Sequence, residues 1–176
     1  MMVPFSKKAG QFYSGRKNWL SRLNASLDHK AHYIWFHCAS LGEFEQGRPV
    51  IEAVRNHFPQ FKIVISFFSP SGYEIRKNYP GADLVCYLPA DTKKNAARFI
   101  DTLRPEKVFF VKYEFWYHYL IALQKRNIPL YLISGIFRKN QRFFSNMPWS
   151  SWFRRSWVNS MVPSSPLICR WPGILD

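Results

Sequence analysis

The chain has 176 residues, of which 47% are hydrophobic and 18% aromatic, and this argues against wholesale disorder because such a chain can bury a core. Lysine and arginine outnumber aspartate and glutamate by 25 to 11, a formal net charge of +14, which favours an anionic partner such as nucleic acid, a phospholipid surface or a phosphorylated substrate. The three cysteines are widely spaced and form neither a metal-ligand cluster nor a disulfide framework, as expected for a reducing compartment.

The first segment combines apolar residues at helical spacing with basic residues. Through residues 11–28 the apolar positions are Phe12, Trp19, Leu20, Leu23 and Leu27. This spacing predicts one amphipathic, basic helix, which either docks on its own domain or lies on a membrane surface. No apolar run is long enough for a signal peptide or a membrane span, so we expect any membrane contact to be peripheral.

Short apolar runs then alternate with helical stretches. The predicted strands are His32–Cys38, Lys62–Phe68, Asp83–Leu88, Lys107–Lys112 and Pro129–Ser134, and the predicted helices are Glu43–Phe58, Ser71–Asn78, Lys93–Leu103 and Phe115–Arg126. A proline follows each of these helices, either before the next strand or, for Pro129, at its first position. This alternation predicts an α/β fold, a Rossmann-like parallel sheet with helices on both faces, over roughly residues 30–135.

A functional position follows from this fold. Open parallel sheets bind ligands beyond the carboxyl ends of their strands, where the strand order reverses. With the common order 3-2-1-4-5, the first and fourth strands are neighbours at that point. The loops over residues 39–47 and 113–116 are therefore the candidate site.

The loop after the first strand reads A-S-L-G-E-F-E-Q-G-R-P and contains Ser40, Gly42 and Glu43. In one interpretation Ser40 and Glu43 form a capping box at the start of a helix. In the other, Gly42 lets the backbone approach a ligand and Glu43 points into the crevice as a general base. The loop is neither a Walker loop nor a dinucleotide fingerprint, so nucleotide binding by it is unsupported.

The loop after the fourth strand reads K-Y-E-F-W and contains Lys112 and Glu114. These two residues could form a surface ion pair, or Glu114 could be an acid at a helix start. Opposite Glu43, however, Glu114 would complete a pair of carboxylates in one crevice. Such an arrangement raises one pKa and makes base chemistry near neutral pH feasible.

Ser69, Ser71 and Gly72 follow the second strand and open a helix, where a phosphate or a sugar hydroxyl could bind, although an ordinary turn would read the same. The five histidines show no zinc-binding spacing, and we interpret them as structural, His37 least securely because it ends the first strand beside the candidate site. No G-x-S-x-G hydrolase elbow is present.

Basic and aromatic residues interleave near the end of the chain. They are Arg138, Lys139, Arg142, Phe143 and Phe144, and then Trp149, Trp152, Phe153, Arg154 and Arg155. Such mixtures occur at nucleic-acid surfaces and also where a protein rests on anionic lipid. No RNP, helix-turn-helix or zinc-finger pattern is present, which favours lipid.

Five ordered segments resemble the N-terminal domain of bacterial transferases of 3-deoxy-D-manno-octulosonic acid (Kdo). They are H-C-A-S-L-G-E-F-E-Q-G-R-P, S-F-F-S-P-S-G-Y-E, Y-L-P-A-D-T, F-V-K-Y-E-F-W-Y and S-G-I-F-R-K-N-Q-R-F-F. The resemblance implies a GT-B enzyme with two Rossmann-like domains, whose N-terminal domain takes a lipid A precursor and whose C-terminal domain takes CMP-Kdo. It also implies inverting transfer without a metal or other cofactor, at the cytoplasmic face of the inner membrane.

The resemblance places the general base on Glu43 and a second carboxylate, which supports the transition state, on Glu114. We expect the acceptor to be bound by Ser40, Gly42, Arg48, Ser69, Ser71, Gly72 and Lys112. The expected partners are the lipid acceptor, an anionic membrane surface and CMP-Kdo, and no nucleic acid.

The predicted organisation is an N-terminal helix in residues 1–29, an acceptor-binding domain in residues 30–155 and a divergent tail in residues 156–176. The tail does not resemble the family and is expected to form no helix or strand, and we expect the donor-binding domain to be absent. A truncated or frameshifted gene product is one hypothesis for this. A non-catalytic module that binds anionic lipid or nucleic acid, or an inactive remnant, remains the alternative to an enzyme.

Overall fold

The computed structural model describes residues 7–112, 116–134, 163–165 and 168–170. Five parallel strands form the main part of its sheet: β1 (His32–Cys38), β2 (Phe61–Phe67), β3 (Leu84–Tyr87), β4 (Pro105–Val111) and β5 (Leu130–Ile133). Their order is β3-β2-β1-β4-β5, which confirms the predicted Rossmann-like α/β fold and its strand order. The neighbouring strands β1 and β4 are buried along most of their length because helices cover both faces of the sheet.

Alternate residues of β1 point into two separate cores. Tyr33 and Trp35 pack into the first core, whereas Ile34, Phe36 and Cys38 pack into the second. The helices after β1 are α3 (Leu41–His57), α4 (Pro70–Arg76), α5 (Lys93–Leu103) and α6 (Tyr117–Gln124). Helices α5 and α6 contribute to the first core and α3 to the second, so β1 is fixed from both sides.

The N-terminal segment differs from the single helix predicted over residues 11–28. It forms two helices, α1 (Lys7–Arg16) and α2 (Trp19–Ser26), because Asn18 takes a left-handed conformation with φ 54° and breaks the helical path. Leu23 and Leu27 are buried in the first core. The segment therefore docks on its own domain, one of the two alternatives that the sequence allowed.

The tail also differs from the prediction that it contains no strand. Strand β6 (Pro163–Ser165) pairs antiparallel with β7 (Ile168–Arg170), and β7 pairs antiparallel with β5. Short strands of this kind are held by backbone hydrogen bonds to an available sheet edge, so they need no apolar alternation in the sequence. Within the described part of the chain, no helix is long and apolar enough to cross a membrane.

Candidate functional site

The neighbouring strands β1 and β4 mark the place where the strand order reverses. From β1 the chain continues outward to β2 and β3, and β4 then returns to the other side of β1. His37 on β1 lies opposite Phe110 on β4. The carboxyl ends of these two strands therefore lie at one edge of the sheet, as the sequence predicted, and the fold favours a ligand site there.

Glu43 lies at this edge, in the first turn of α3. It is only 9% exposed, and its Oε2 accepts a hydrogen bond of 2.5 Å from the backbone N–H of Ala39. The backbone N–H of Ser40 donates to the same carboxyl group. Ser40 occupies the cap position of α3, but its hydroxyl makes no capping hydrogen bond. Glu43 thus makes its half of a capping box while the Ser40 half is absent.

The pKa of the Glu43 carboxyl is raised above its usual value of 4.5 because burial disfavours the charged form. Hydrogen bonds from Ala39 and Ser40 and the positive charge of Lys112 oppose this effect without cancelling it. A carboxylate with a raised pKa is a stronger base than a solvated one. The environment of Glu43 therefore suits proton abstraction.

Lys112 directly follows β4 and has a left-handed backbone with φ 62°. For a residue other than glycine this conformation costs roughly 1–2 kcal/mol, and it is held here by a hydrogen bond of 2.9 Å from the Lys112 N–H to the Ile133 carbonyl. The charge of Lys112 is close enough to lower the pKa of Glu43. A strained residue that brings a cation to a buried acid is typical of functional sites.

The segment after β2 is joined to the same edge through Ala39. The backbone N–H of Ser69 donates to the Ala39 carbonyl at 2.7 Å, while the Ala39 N–H binds Glu43. The Ser69 hydroxyl caps α4 by accepting from the Ser71 N–H at 3.3 Å, and the two hydroxyls are 2.9 Å apart. Ser69 and Glu43 therefore share one backbone anchor.

Three further predicted acceptor residues occupy different environments. A Cβ atom added to Gly42 would meet nothing within 4 Å, so there is open space beside the backbone that precedes Glu43. Gly72 is buried, and an added Cβ would lie 2.2 Å from the Phe67 ring, which gives this glycine a packing role. Arg48 points to the exposed side of α3, where it pairs with Glu45 at 3.2 Å and Glu52 at 3.7 Å.

Some predicted residues lie outside the described part of the chain. Glu114 is one of them, and the nearest described residues on either side are Lys112 and Trp116. The basic and aromatic segment over residues 138–155 also falls outside it. Both remain predictions. Among the described residues, no group of three or more His, Cys, Asp or Glu side chains could hold a metal ion.

His37 is fully buried and serves the core. Its Nδ1 lies 2.9 Å from the Ser66 hydroxyl, and the Trp35 indole N–H donates to that hydroxyl at 2.8 Å. Burial lowers the pKa of His37 to about 3, so the ring is neutral at physiological pH. This agrees with the structural interpretation of His37.

Two residues at this edge were not identified from the sequence. Arg16 on α1 donates to the Phe68 carbonyl at 2.6 Å and the Leu88 carbonyl at 2.9 Å, and burial lowers its pKa to about 10. Asp91 accepts hydrogen bonds from the first turn of α6. Both act over long sequence separations, and the only signal for Asp91 was its place in the segment Y-L-P-A-D-T.

The fold and the site together define the class of this protein as a Rossmann-like α/β domain with a buried acid at its topological switch point. A family model described as 3-deoxy-D-manno-octulosonic-acid transferase (kdotransferase) matches residues 16–162. The chain therefore belongs to the Kdo transferase family, which confirms the resemblance.

Individual relatives agree with this assignment. The chain is 30% identical over 109 residues to the 3-deoxy-D-manno-octulosonic acid transferase of Chlamydia muridarum, covering 61% of this chain and 25% of that protein. It is 28% identical over 103 residues to the transferase of Haemophilus influenzae (58% and 24%) and 30% identical over 84 residues to that of Aquifex aeolicus (47% and 23%). The matched part is thus about a quarter of the length of these relatives.

Proposed function

We propose that this chain is the acceptor-binding domain of an enzyme that transfers Kdo from CMP-Kdo to a lipid A precursor, lipid IVA, in lipopolysaccharide core synthesis. A second Rossmann-like domain of a GT-B enzyme would bind CMP-Kdo. The observation that carries the proposal is the buried Glu43 carboxyl at the switch point, with a raised pKa and with open space beside Gly42. Family membership supports the choice of sugar and acceptor.

In the proposed reaction Glu43 takes the proton from a sugar hydroxyl of the lipid acceptor. The hydroxyl oxygen forms a bond to the anomeric carbon of Kdo, the bond from that carbon to the phosphate oxygen breaks, and CMP leaves with the electron pair. Attack from the face opposite the leaving group inverts the configuration. The raised pKa of Glu43 makes its carboxylate a better proton acceptor at neutral pH.

The other residues at the edge have proposed roles in binding and charge stabilisation. Lys112 brings a positive charge to the crevice, where it would attract an acceptor phosphate and favour the ionised form of Glu43. Ser40, Ser69 and Ser71 would offer hydroxyls to the acceptor. Glu114 is proposed to support the transition state. No metal has a part in this scheme.

The charge of the protein suits this acceptor and its location. A net charge of +14 attracts both a phosphorylated lipid and the anionic bilayer that contains it. We propose that the protein acts as a peripheral protein at the cytoplasmic face of the inner membrane. No role in this proposal requires nucleic acid.

The test is a chimera in which residues 7–134 of this chain replace the matched region of the Haemophilus influenzae transferase. We expect the chimera to transfer Kdo to lipid IVA, with the product detected by mass spectrometry. We expect the Glu43→Ala chimera to lose this activity. Glu52→Ala is the matched control, because Glu52 is an acid on the exposed side of the same helix. Transfer by the Glu43→Ala chimera at the rate of the Glu52→Ala chimera would refute the role of Glu43.

A binding measurement on the chain itself tests the proposal even if the chimera does not fold. Vesicles that contain lipid IVA should bind the chain more tightly than vesicles with the same charge density from phosphatidylglycerol. Glu43→Ala should bind as well as the wild-type chain, because the proposal gives Glu43 a chemical role. Equal binding to both vesicle types would contradict the assignment of lipid IVA as the acceptor.

A further inference from the structure

The loop between β3 and α5 reaches across the sheet edge to the start of α6. We infer that Asp91, in this loop, is a positioning residue of the site: it holds the first turn of α6 and so fixes one end of the segment that carries Glu114. The inference rests on the proposed function for the role of Glu114. The contacts of Asp91 with α6 stand independently of that function.

Asp91 takes the place of a local cap on α6. The His118 N–H lies 3.1 Å from Oδ1 and 3.3 Å from Oδ2 of Asp91, and the N–H groups of Tyr117 and Tyr119 also donate to this carboxyl group. Trp116, at the cap position of α6, makes no capping hydrogen bond, and the first turn contains no acidic residue. The free N–H groups at this helix start are thus satisfied from a different loop.

The loop that presents Asp91 is itself anchored at several points. The Pro89 carbonyl accepts from the buried Tyr119 hydroxyl at 3.1 Å, and the Leu88 carbonyl accepts from Arg16 at 2.9 Å. On the other side, the Thr92 hydroxyl caps α5 by accepting from the Asn95 N–H at 3.2 Å. Because the loop is bound on both sides of Asp91, it can act as a fixed support for α6.

The position of α6 bears directly on the candidate site. Only residues 113–115 separate Lys112, at the end of β4, from Trp116, at the start of α6. Strand β4 fixes one end of this short connection and α6 fixes the other. A shift of α6 would therefore be transmitted along the chain to the short connection that carries Glu114.

The raised pKa of Asp91 indicates that its carboxylate holds α6 in position and does not add to the stability of the fold. Burial raises the pKa of Asp91 above its usual value of 3.8, and the hydrogen bonds from α6 only partly offset this. Ionised Asp91 therefore lowers the stability of the fold at neutral pH relative to its neutral form. Asparagine caps helices about as well as aspartate but has a single acceptor oxygen for these N–H groups.

Hydrogen exchange on the chain itself tests the contact. Exchange followed by mass spectrometry should show protection of peptides spanning residues 116–124 reduced roughly fivefold in Asp91→Ala, the equivalent of one lost cap, and by less in Asp91→Asn. Asp83→Ala is the matched control, because Asp83 also accepts from a backbone N–H, that of Ile63 in β2 at 2.7 Å, and its loss should leave α6 unchanged. Unchanged protection of α6 in Asp91→Ala would overturn the inference.

Thermal unfolding separates positioning from general stability. Asp91→Asn should melt at or above the wild-type temperature at pH 7, while α6 alone becomes less protected. A lower melting temperature with uniform loss of protection across the domain would identify Asp91 as merely structural and would overturn the inference.

The chimera links this contact to catalysis. Asp91→Asn should lower kcat with little change in KM for CMP-Kdo, and it should cause no further loss when Glu114→Ala is already present. Multiplicative losses in the double variant would refute the link to Glu114. An inactive chimera with the expected exchange pattern would count against the proposed function and leave the contact of Asp91 with α6 intact.

Discussion

Gly47 on α3 offers a direct test of how closely this helix must approach the sheet. A Cβ atom added at Gly47 would lie 2.8 Å from Cγ2 of Val111 and 3.8 Å from the Cys38 sulfur. Overpacking of this kind costs about 1–3 kcal/mol, and the higher helix propensity of alanine returns about 1 kcal/mol. We therefore expect Gly47→Ala to lower the free energy of unfolding by about 1 kcal/mol, or roughly 3 °C in Tm.

Gly42→Ala provides the matched control in the same helix. An added Cβ meets nothing within 4 Å there, so Gly42→Ala should leave Tm unchanged or raise it slightly. The assay is thermal unfolding followed by circular dichroism, with the wild-type chain and both variants in one buffer. Val111→Ala removes the atom that Gly47→Ala would strike, so the double variant should be more stable than the sum of the single effects predicts, by about 0.5–3 kcal/mol.

The expected loss of activity follows from the same displacement. If α3 moves outward to relieve the contact, Glu43 moves with it, and a shift of about 1 Å can reduce turnover by about a hundredfold. In the chimera, kcat should therefore fall in Gly47→Ala by more than its small loss of stability explains. A Gly47→Ala variant with the stability of Gly42→Ala and the turnover of the unsubstituted chimera would refute the close approach of α3 to β4.

Three further predictions concern catalysis, the N-terminal helix and the partner. Glu43→Gln should lower kcat by about 10²–10⁴-fold, and wild-type activity should fall as pH drops through the pKa of Glu43, which lies above 4.5, as a pH–rate profile would show. Arg16→Ala should destabilise the chain by about 1–3 kcal/mol and speed proteolysis of α1, because the carbonyls of Phe68 and Leu88 lose their donor. The control Lys17→Ala changes an exposed residue and should have little effect on either measurement. The chain should sediment with anionic liposomes and fail to shift single-stranded DNA, and the reverse result would favour a nucleic-acid module.

Capping residues, prolines and apolar spacing in the sequence predicted the bounds of α5 and the parallel sheet. Helix α5 has the predicted bounds, Lys93–Leu103, because the Thr92 hydroxyl caps its start and Pro105 begins the next strand. The alternation of apolar strands with helices predicted the parallel sheet and its order. That order placed the loop with Glu43 at the switch point, beside the end of β4.

The features that the sequence did not reveal depend on contacts between distant residues. The hydrogen bond from Arg16 to Leu88 spans 72 positions, and that from His118 to Asp91 spans 27. The left-handed Asn18 that divides α1 from α2 lies inside a pattern with helical spacing throughout. The strands after residue 160 pair through their backbones, so their side chains carry no matching pattern. Glu114 remains a prediction from sequence alone.

The pKa values of four acids are shifted in opposite directions at the candidate site and on the rest of the surface. Asp28 and Asp101 have lowered pKa values, the first through hydrogen bonds from the Lys30 N–H and Lys62 and the second through Arg126, so their ionisation favours folding. Glu43 and Asp91, both at the carboxyl edge of the sheet, have raised pKa values because burial outweighs their hydrogen bonds.

For Glu43 the sign of this effect distinguishes a cap from a base. A raised pKa gives a contribution to stability that is fully present below pH 4.5 and is lost as pH rises through the folded-state pKa. Ionised Glu43 thus reduces the stability of the fold at neutral pH. Glutamine could complete the same half of the capping box without a charge, so the cap alone does not require an acid. If the acid serves chemistry, Glu43→Gln should keep or raise Tm at pH 7 while turnover is lost. A clear fall in Tm with turnover retained would make Glu43 a cap and nothing more.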